Sequence, residues 1–160
     1  MEGSTDLWRV YLEAKIEVFY EESWYCISGC AIKRPCPKTL YDDLVSCSAA
    51  FILTAWNPYS VVLEDHENEQ RNQALEGDLV ELRLPYYPAR GSSRSDNYSE
   101  SGFLVIAREP LNPSDLVFDL ARKYDQAAIY EIVGGVLRCA DANGSLVVEM
   151  EDLSEALLSL

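Results

Sequence analysis

The pattern of apolar and polar side chains changes period several times along the chain and predicts strands and helices in turn. Apolar and polar residues alternate over residues 14–20, which is typical of a half-buried strand, and residues 24–32 predict a second strand that pairs with it. Residues 49–56 form an apolar run with almost no polar alternation, which predicts a central strand buried on both faces. The first third of the chain therefore predicts a hairpin and a buried strand.

Helices are predicted on either side of the buried strand. Pro37 suits a first helical turn and opens a segment whose apolar residues recur at helical spacing. Residues 64–83 predict a longer helix, in which Asn68 and Asn72 continue the apolar stripe towards the start of the helix. Two amides are thus expected on the inward face of this helix.

The second half of the chain continues the alternation. The predicted elements are a loop of low order (85–99), a strand (102–107), a helix (112–124), a strand (127–133), a hairpin (136–150) and a short C-terminal helix (153–160). This order predicts an α+β fold in which helices pack on a mixed, mainly antiparallel sheet. With no internal repeat or linker, residues 1–160 are expected to form a single compact domain.

Charge excludes several classes of partner. The chain has 27 acidic and 13 basic residues, a formal net charge of −14. Nucleic acid is bound by clustered Lys and Arg, so direct nucleic-acid binding is not expected, and neither is an anionic membrane. The first six residues lack the pattern of a signal peptide, and the apolar runs are too short to cross a membrane. We expect a cytoplasmic protein.

Motifs for catalysis and metal binding are missing from the sequence. It has no G-x-S-x-G, no phosphate-binding loop and no G-x-G-x-x-G. The five cysteines form no C-x-x-C and His66 is the single histidine, so we expect reduced cysteines and no zinc site. The sequence therefore predicts no catalytic residue, metal or cofactor and favours a non-enzymatic role.

Six polar residues interrupt the apolar pattern where strands and helices end, and they are candidate ligand-binding residues. They are Thr54, Asn57, Asn68, Asn72, Glu100 and Gln126. Ligands in open sheets bind near the carboxyl ends of central strands and adjacent helix starts, so these residues could converge there. The alternative is that they hold loops in place through hydrogen bonds to backbone groups.

The same residues carry a resemblance to a known family. Residues 54–58 read Thr-Ala-Trp-Asn-Pro, and the two helical asparagines, Glu100 and Gln126 follow at matching spacings. Over about residues 8–132 the chain resembles the uncharacterised bacterial family called domain of unknown function 3293, and the hairpin and helix of 133–160 lie beyond that region. The resemblance implies a bacterial protein and no particular activity.

Two functions follow as hypotheses. In the first, an acidic, non-enzymatic regulatory protein docks on a basic protein surface, and imitation of the charge of nucleic acid is one way in which it could do so. In the second, the six polar residues form a ligand-binding or enzymatic pocket with residues 92–97 as its lid. A subunit of a larger assembly, with Tyr86, Tyr87 and Tyr98 at an interface, is a third possibility, and the sequence leaves the oligomeric state open.

Overall fold

A computed structural model describes residues 11–29, 36–46, 49–93, 98–107, 114–145 and 147–153. The strands are β1 (Lys15–Tyr20), β2 (Ser23–Ser28), β3 (Ala49–Leu53), β4 (Tyr86–Ser92), β5 (Ser99–Ala107), β6 (Ala128–Val133), β7 (Val136–Asp141) and β8 (Val147–Asp152). The helices are α1 (Lys38–Val45), α2 (Asp65–Glu81) and α3 (Ser114–Lys123). A short helical turn, Pro58–Ser60, follows β3.

The strands form one curled sheet in the order β2-β1-β4-β5-β3-β6-β7-β8. Each strand pairing among the described residues is antiparallel. The predicted α+β class is confirmed, as is the hairpin of β7 and β8. β3 lies between β5 and β6, so the apolar run that predicted a central strand does occupy the middle of the sheet.

Each face of the sheet has its own hydrophobic core, and β3 contributes to both. Ala50 and Ile52 pack in the core that contains Leu40 and Leu44 of α1, which we call the α1 face. Phe51 packs in the opposite core, which contains the inward side chains of α2 and α3. Because successive strand residues point to opposite faces, a strand covered on both sides has no polar alternation.

The prediction of a loop over residues 85–99 is wrong for its first half. Tyr86–Ser92 forms β4, which pairs with β1 on one side and β5 on the other, and β5 begins at Ser99. The loop prediction depended on the turn-forming residues of this segment, which include the Gly-Ser-Ser-Arg-Ser run that begins at Gly91. Pro88 fits because the pairing with β1 starts only at Ala89, so the missing N–H lies beyond the end of that ladder.

Some predictions fall partly or wholly outside the described residues. These are the C-terminal helix beyond Leu153 and most of the lid segment, since residues 94–97 are not described. The expectation of reduced cysteines holds for Cys36 and Cys139, which carry free thiols. It is wrong for Cys26, which is disulfide-bonded.

Candidate functional site

Three chain segments carrying predicted site residues meet at one edge of the sheet. Residues 54–60 leave the end of β3, Glu100 lies near the start of β5, and Gln126 precedes β6. Because β5 and β6 both run antiparallel to β3, their beginnings lie beside its end. The segments therefore converge through antiparallel pairing, and not through the rule for parallel sheets that suggested it.

A cavity of about 300 Å³ opens at this edge on the α1 face. Of the six predicted residues, four line it: Thr54, Asn57, Glu100 and Gln126. Asn68 and Asn72 are buried, as expected from their place on the apolar stripe of α2, but they do not line the cavity. The structure thus divides the predicted set into cavity residues and residues that support them.

Asn68 holds the loop after β3 in place. Its Oδ1 accepts a hydrogen bond of 2.8 Å from the backbone N–H of Asn57, and its Nδ2 donates to Asn57 Oδ1 at 2.8 Å. Asn57 Oδ1 also accepts from the N–H of Leu63 at 3.0 Å. Asn68 is only 1% exposed, so these bonds satisfy groups that water does not reach.

Asn72 does the same one helical turn later. Its Oδ1 accepts from the N–H of Ala55 at 3.0 Å, and its Nδ2 donates to the carbonyl oxygen of Ser101 at 2.9 Å. The hydroxyl of Thr54 donates to the same carbonyl at 2.5 Å and accepts from the N–H of Trp56 at 3.0 Å. The Thr54 hydroxyl is thus engaged by the backbone and is not free for a ligand.

Arg71 and Gln126 fasten this loop to the end of α3. Arg71 donates from Nε to the carbonyl oxygen of Ala55 at 2.8 Å and from Nη2 to that of Tyr124 at 2.6 Å. Gln126 donates from Nε2 to the carbonyls of Trp56 and Tyr124, both at 3.1 Å. Sequence reasoning missed Arg71, because a single basic residue in an acidic helix looks like an ordinary surface charge.

The loop held by these contacts contains residues in the left-handed backbone region. Asn57 has φ 45°, Tyr59 49° and Ser60 62°, and Asp125, whose carbonyl accepts from the N–H of Tyr59 at 2.7 Å, has φ 57°. Such conformations are costly for residues other than glycine and persist where the surroundings impose them. Their concentration beside the cavity is typical of a functional site.

Among the described residues, Glu100 is the one carboxyl group that lines the cavity. Its Oε1 accepts a hydrogen bond from the hydroxyl of Tyr98, which in turn accepts from Nδ2 of Asn57. Burial raises the pKa of Glu100 above its ordinary value, and the hydrogen bonds from Tyr98 and Asn57 oppose that rise only in part. No described cationic side chain pairs with it.

Three tyrosines surround Glu100 at the cavity: Tyr11, Tyr98 and Tyr130. Burial, followed by the negative charge of Glu100, raises the pKa of Tyr11 to about 12. The pKa values of Tyr98 and Tyr130 are raised as well, chiefly by burial and in part by Glu100. All three phenols stay protonated at neutral pH and can donate hydrogen bonds.

Small residues on three strands line part of the cavity wall. Ala89 and Gly91 of β4, Gly102 of β5 and Ala128 of β6 line the space. A Cβ added at Gly91 would meet no atom within 4 Å. At Gly102 it would lie 2.5 Å from the carbonyl oxygen of Leu53, so only glycine lets β5 pass so close to the end of β3.

Two further observations concern the described residues alone. No three His, Cys, Asp or Glu side chains gather there in a group that could hold a metal ion. None of the helices in this part of the chain is both long and apolar enough to span a membrane.

Comparison with known proteins confirms the family resemblance. The model of a family described as "Protein of unknown function (DUF3293)" matches residues 53–129. This region begins at the end of β3 and includes α2, β4, β5, α3 and the start of β6, and so contains all six predicted site residues. No curated protein matches the chain, and no solved structure does either.

Proposed function

We propose that this protein binds a small organic molecule in the cavity at the end of β3. The observation that carries the proposal is the cavity itself, about 300 Å³ in volume and lined by mostly apolar atoms with a few polar groups. Pockets for small molecules measure about 300–1,000 Å³ and have this composition. The protein thus resembles a binding module with room for a compact ligand.

The open space at Gly91 supports the proposal. Protein interiors are packed to the density of organic crystals, and side chains fill the space beneath a sheet. The α1 face follows that rule farther along the same strands, where Leu104 and Ile106 of β5 are buried. At Gly91 this packing stops, since a Cβ added there would meet no atom within 4 Å. Empty volume beside strained backbone is a feature that selection for stability alone would remove.

The half-buried carboxyl of Glu100 also supports the proposal. A raised carboxyl pKa means that the ionised form is less stable in the folded protein than in water. Residues that lower stability in this way concentrate at binding and catalytic sites. The proposal concerns binding, and we assign no reaction.

A fragment screen with a cavity-filling variant tests the proposal. Ligand-observed NMR against neutral, cationic and anionic fragments should give hits on the wild type that are lost in Gly91→Phe, whose ring would occupy the cavity. Gly77→Phe is the matched control, because Gly77 lies on the exposed surface of α2 and has no atom within 4 Å of its added Cβ.

The control variant should bind the same fragments as the wild type. If no fragment binds the wild type, or if hits survive unchanged in a folded Gly91→Phe variant, the cavity is not a ligand site.

Docking on a basic partner is a second proposal, favoured by the acidic surface of α2. Asp65, Glu67, Glu69 and Glu81 are exposed on this helix. The only Lys or Arg in α2 is Arg71, whose guanidinium is held by backbone carbonyls and does not neutralise these acids. Such a surface attracts a basic partner with a strength that falls with salt. A cytoplasmic location stays a prediction of the sequence.

A further inference from the structure

The carboxyl group of Glu100 has no cationic partner among the described residues. Glu100 lines the cavity, and none of the ion pairs between described residues includes it. Within the part of the chain that the structure describes, the hydroxyl of Tyr98 and the amide of Asn57 are the groups that stabilise the carboxylate. A half-buried charge without a partner is costly, and proteins usually pair it.

Arg90 also borders the cavity but is committed elsewhere. It lies on β4 opposite Glu17 of β1, and its Nε donates to Glu17 Oε1 at 2.9 Å. Its guanidinium also lies 4.0 Å from the ring centre of Trp24. Its neighbours Ala89 and Gly91 alternate with it along β4, which puts the Arg90 side chain on the other face. Arg90 is thus engaged by Glu17 and Trp24, and the described residues that line the cavity offer Glu100 no other cationic side chain.

The tyrosines around Glu100 suit a cation. Tyr11, Tyr98 and Tyr130 line the same cavity, and their phenols lie within the field of Glu100, which raises the pKa of each. That negative potential attracts an ammonium group and repels an anion. Aromatic rings add to the attraction, since a cation within about 6 Å of a ring face is stabilised by the ring quadrupole.

Hydrogen-bond acceptors are also present for an ammonium group, which brings three donors. Glu100 offers its carboxylate. Gln126 lines the cavity with its Nε2 engaged by two backbone carbonyls, and no described residue donates to its Oε1. The rest of the wall is apolar and includes Ile16, Ile52 and Val62. Acceptors at one place and hydrocarbon elsewhere match an amphipathic molecule.

We propose that the cavity selects a compact apolar molecule that carries a protonated amine, with the amine on Glu100 among Tyr11, Tyr98 and Tyr130. This inference rests on the proposed binding function and specifies its ligand class. Two parts of the cavity recognise different parts of this molecule. The carboxylate selects the charge, and the space over Ala89 and Gly91 holds the apolar body.

Matched compounds that differ only in their head group test the inference. Calorimetric titration at neutral pH would compare 2-phenylethylamine, 2-phenylethanol and 3-phenylpropionate, together with the same three head groups on cyclohexyl and isobutyl bodies. On any body that binds, the amine should bind at least about tenfold more tightly than the alcohol, and the carboxylate should bind most weakly.

Variants connect this preference to Glu100. Glu100→Gln keeps the shape and should weaken amine binding about tenfold while alcohol binding changes by less than about twofold. Glu81→Gln removes the same charge from the exposed end of α2 and should change neither affinity.

An amine that binds no better than its alcohol, or that binds Glu100→Gln as tightly as the wild type, overturns the inference, and so does a panel in which nothing binds. The wider fragment screen keeps the two proposals apart. Neutral or anionic hits that are lost in Gly91→Phe would leave the binding function standing and show that the ligand class is wrong.

Discussion

Replacing Asn68 by alanine tests whether the helical asparagines hold in place the loop that borders the cavity. The substitution removes two 2.8 Å hydrogen bonds to Asn57, each worth about 1 kcal/mol net. It also leaves the N–H of Asn57, a residue only 5% exposed, without its acceptor, at a cost of about 1–3 kcal/mol. Alanine's better helix propensity returns up to about 0.7 kcal/mol. We expect the free energy of unfolding to fall by about 2–4 kcal/mol.

Urea denaturation followed by circular dichroism measures this loss, and thermal unfolding should show a drop of roughly 5–15 °C for a domain of this size. Gln73→Ala is the matched control, since it removes an amide from the exposed surface of the same helix and should change stability by less than about 0.5 kcal/mol. A loss below about 1 kcal/mol in Asn68→Ala would refute the reasoning. The left-handed loop would then be held by contacts other than this amide.

Two further predictions concern charge. Glu100→Gln should raise the free energy of unfolding at neutral pH, because the folded-state pKa of Glu100 lies above its unfolded value and its ionised form is destabilising. The gain should shrink as the pH falls below that raised pKa and vanish below the ordinary carboxyl pKa, where the folded and unfolded wild type both carry a neutral carboxyl. A gain that is the same at pH 4 and pH 8 would contradict the raised pKa. For the acidic surface of α2, a basic protein captured from host lysate at low salt should be released at high salt and captured less by Glu69→Lys, but not less by the exposed control Glu149→Lys. Capture that resists salt would argue against docking by charge.

Periodicity was enough to predict the elements whose burial is uniform or regular. β3 is buried at all five positions, so its composition alone placed it in the middle of the sheet. Asn68 and Asn72 fell on the apolar stripe of α2 and are buried as that spacing requires. Each of these features depends on the residues of a single helix or strand, so the apolar and polar pattern along that element is enough to predict it.

Features that depend on pairing between distant segments could not be predicted in the same way. β4 was missed because its Pro and Gly are tolerated only where the pairing with β1 ends and where the cavity begins. The hydroxyl of Tyr98 meets Asn57 across 41 positions of sequence, and Tyr130 faces the cavity only because β6 pairs with β3. Alternation along β6 puts Tyr130 on the same face as Ala128, which was the one signal available.

The open volume of the cavity and its negative charge depend on residues of different strands, and this affects how the cavity can change during evolution. The volume depends on the small size of Ala89 and Gly91, on β4, while the charge depends on Glu100, on β5. A single substitution on one strand can therefore change which molecules fit without altering which charge is preferred, and the reverse is equally accessible. Relatives with the same fold could thus diverge in ligand size and ligand charge independently, each by one step.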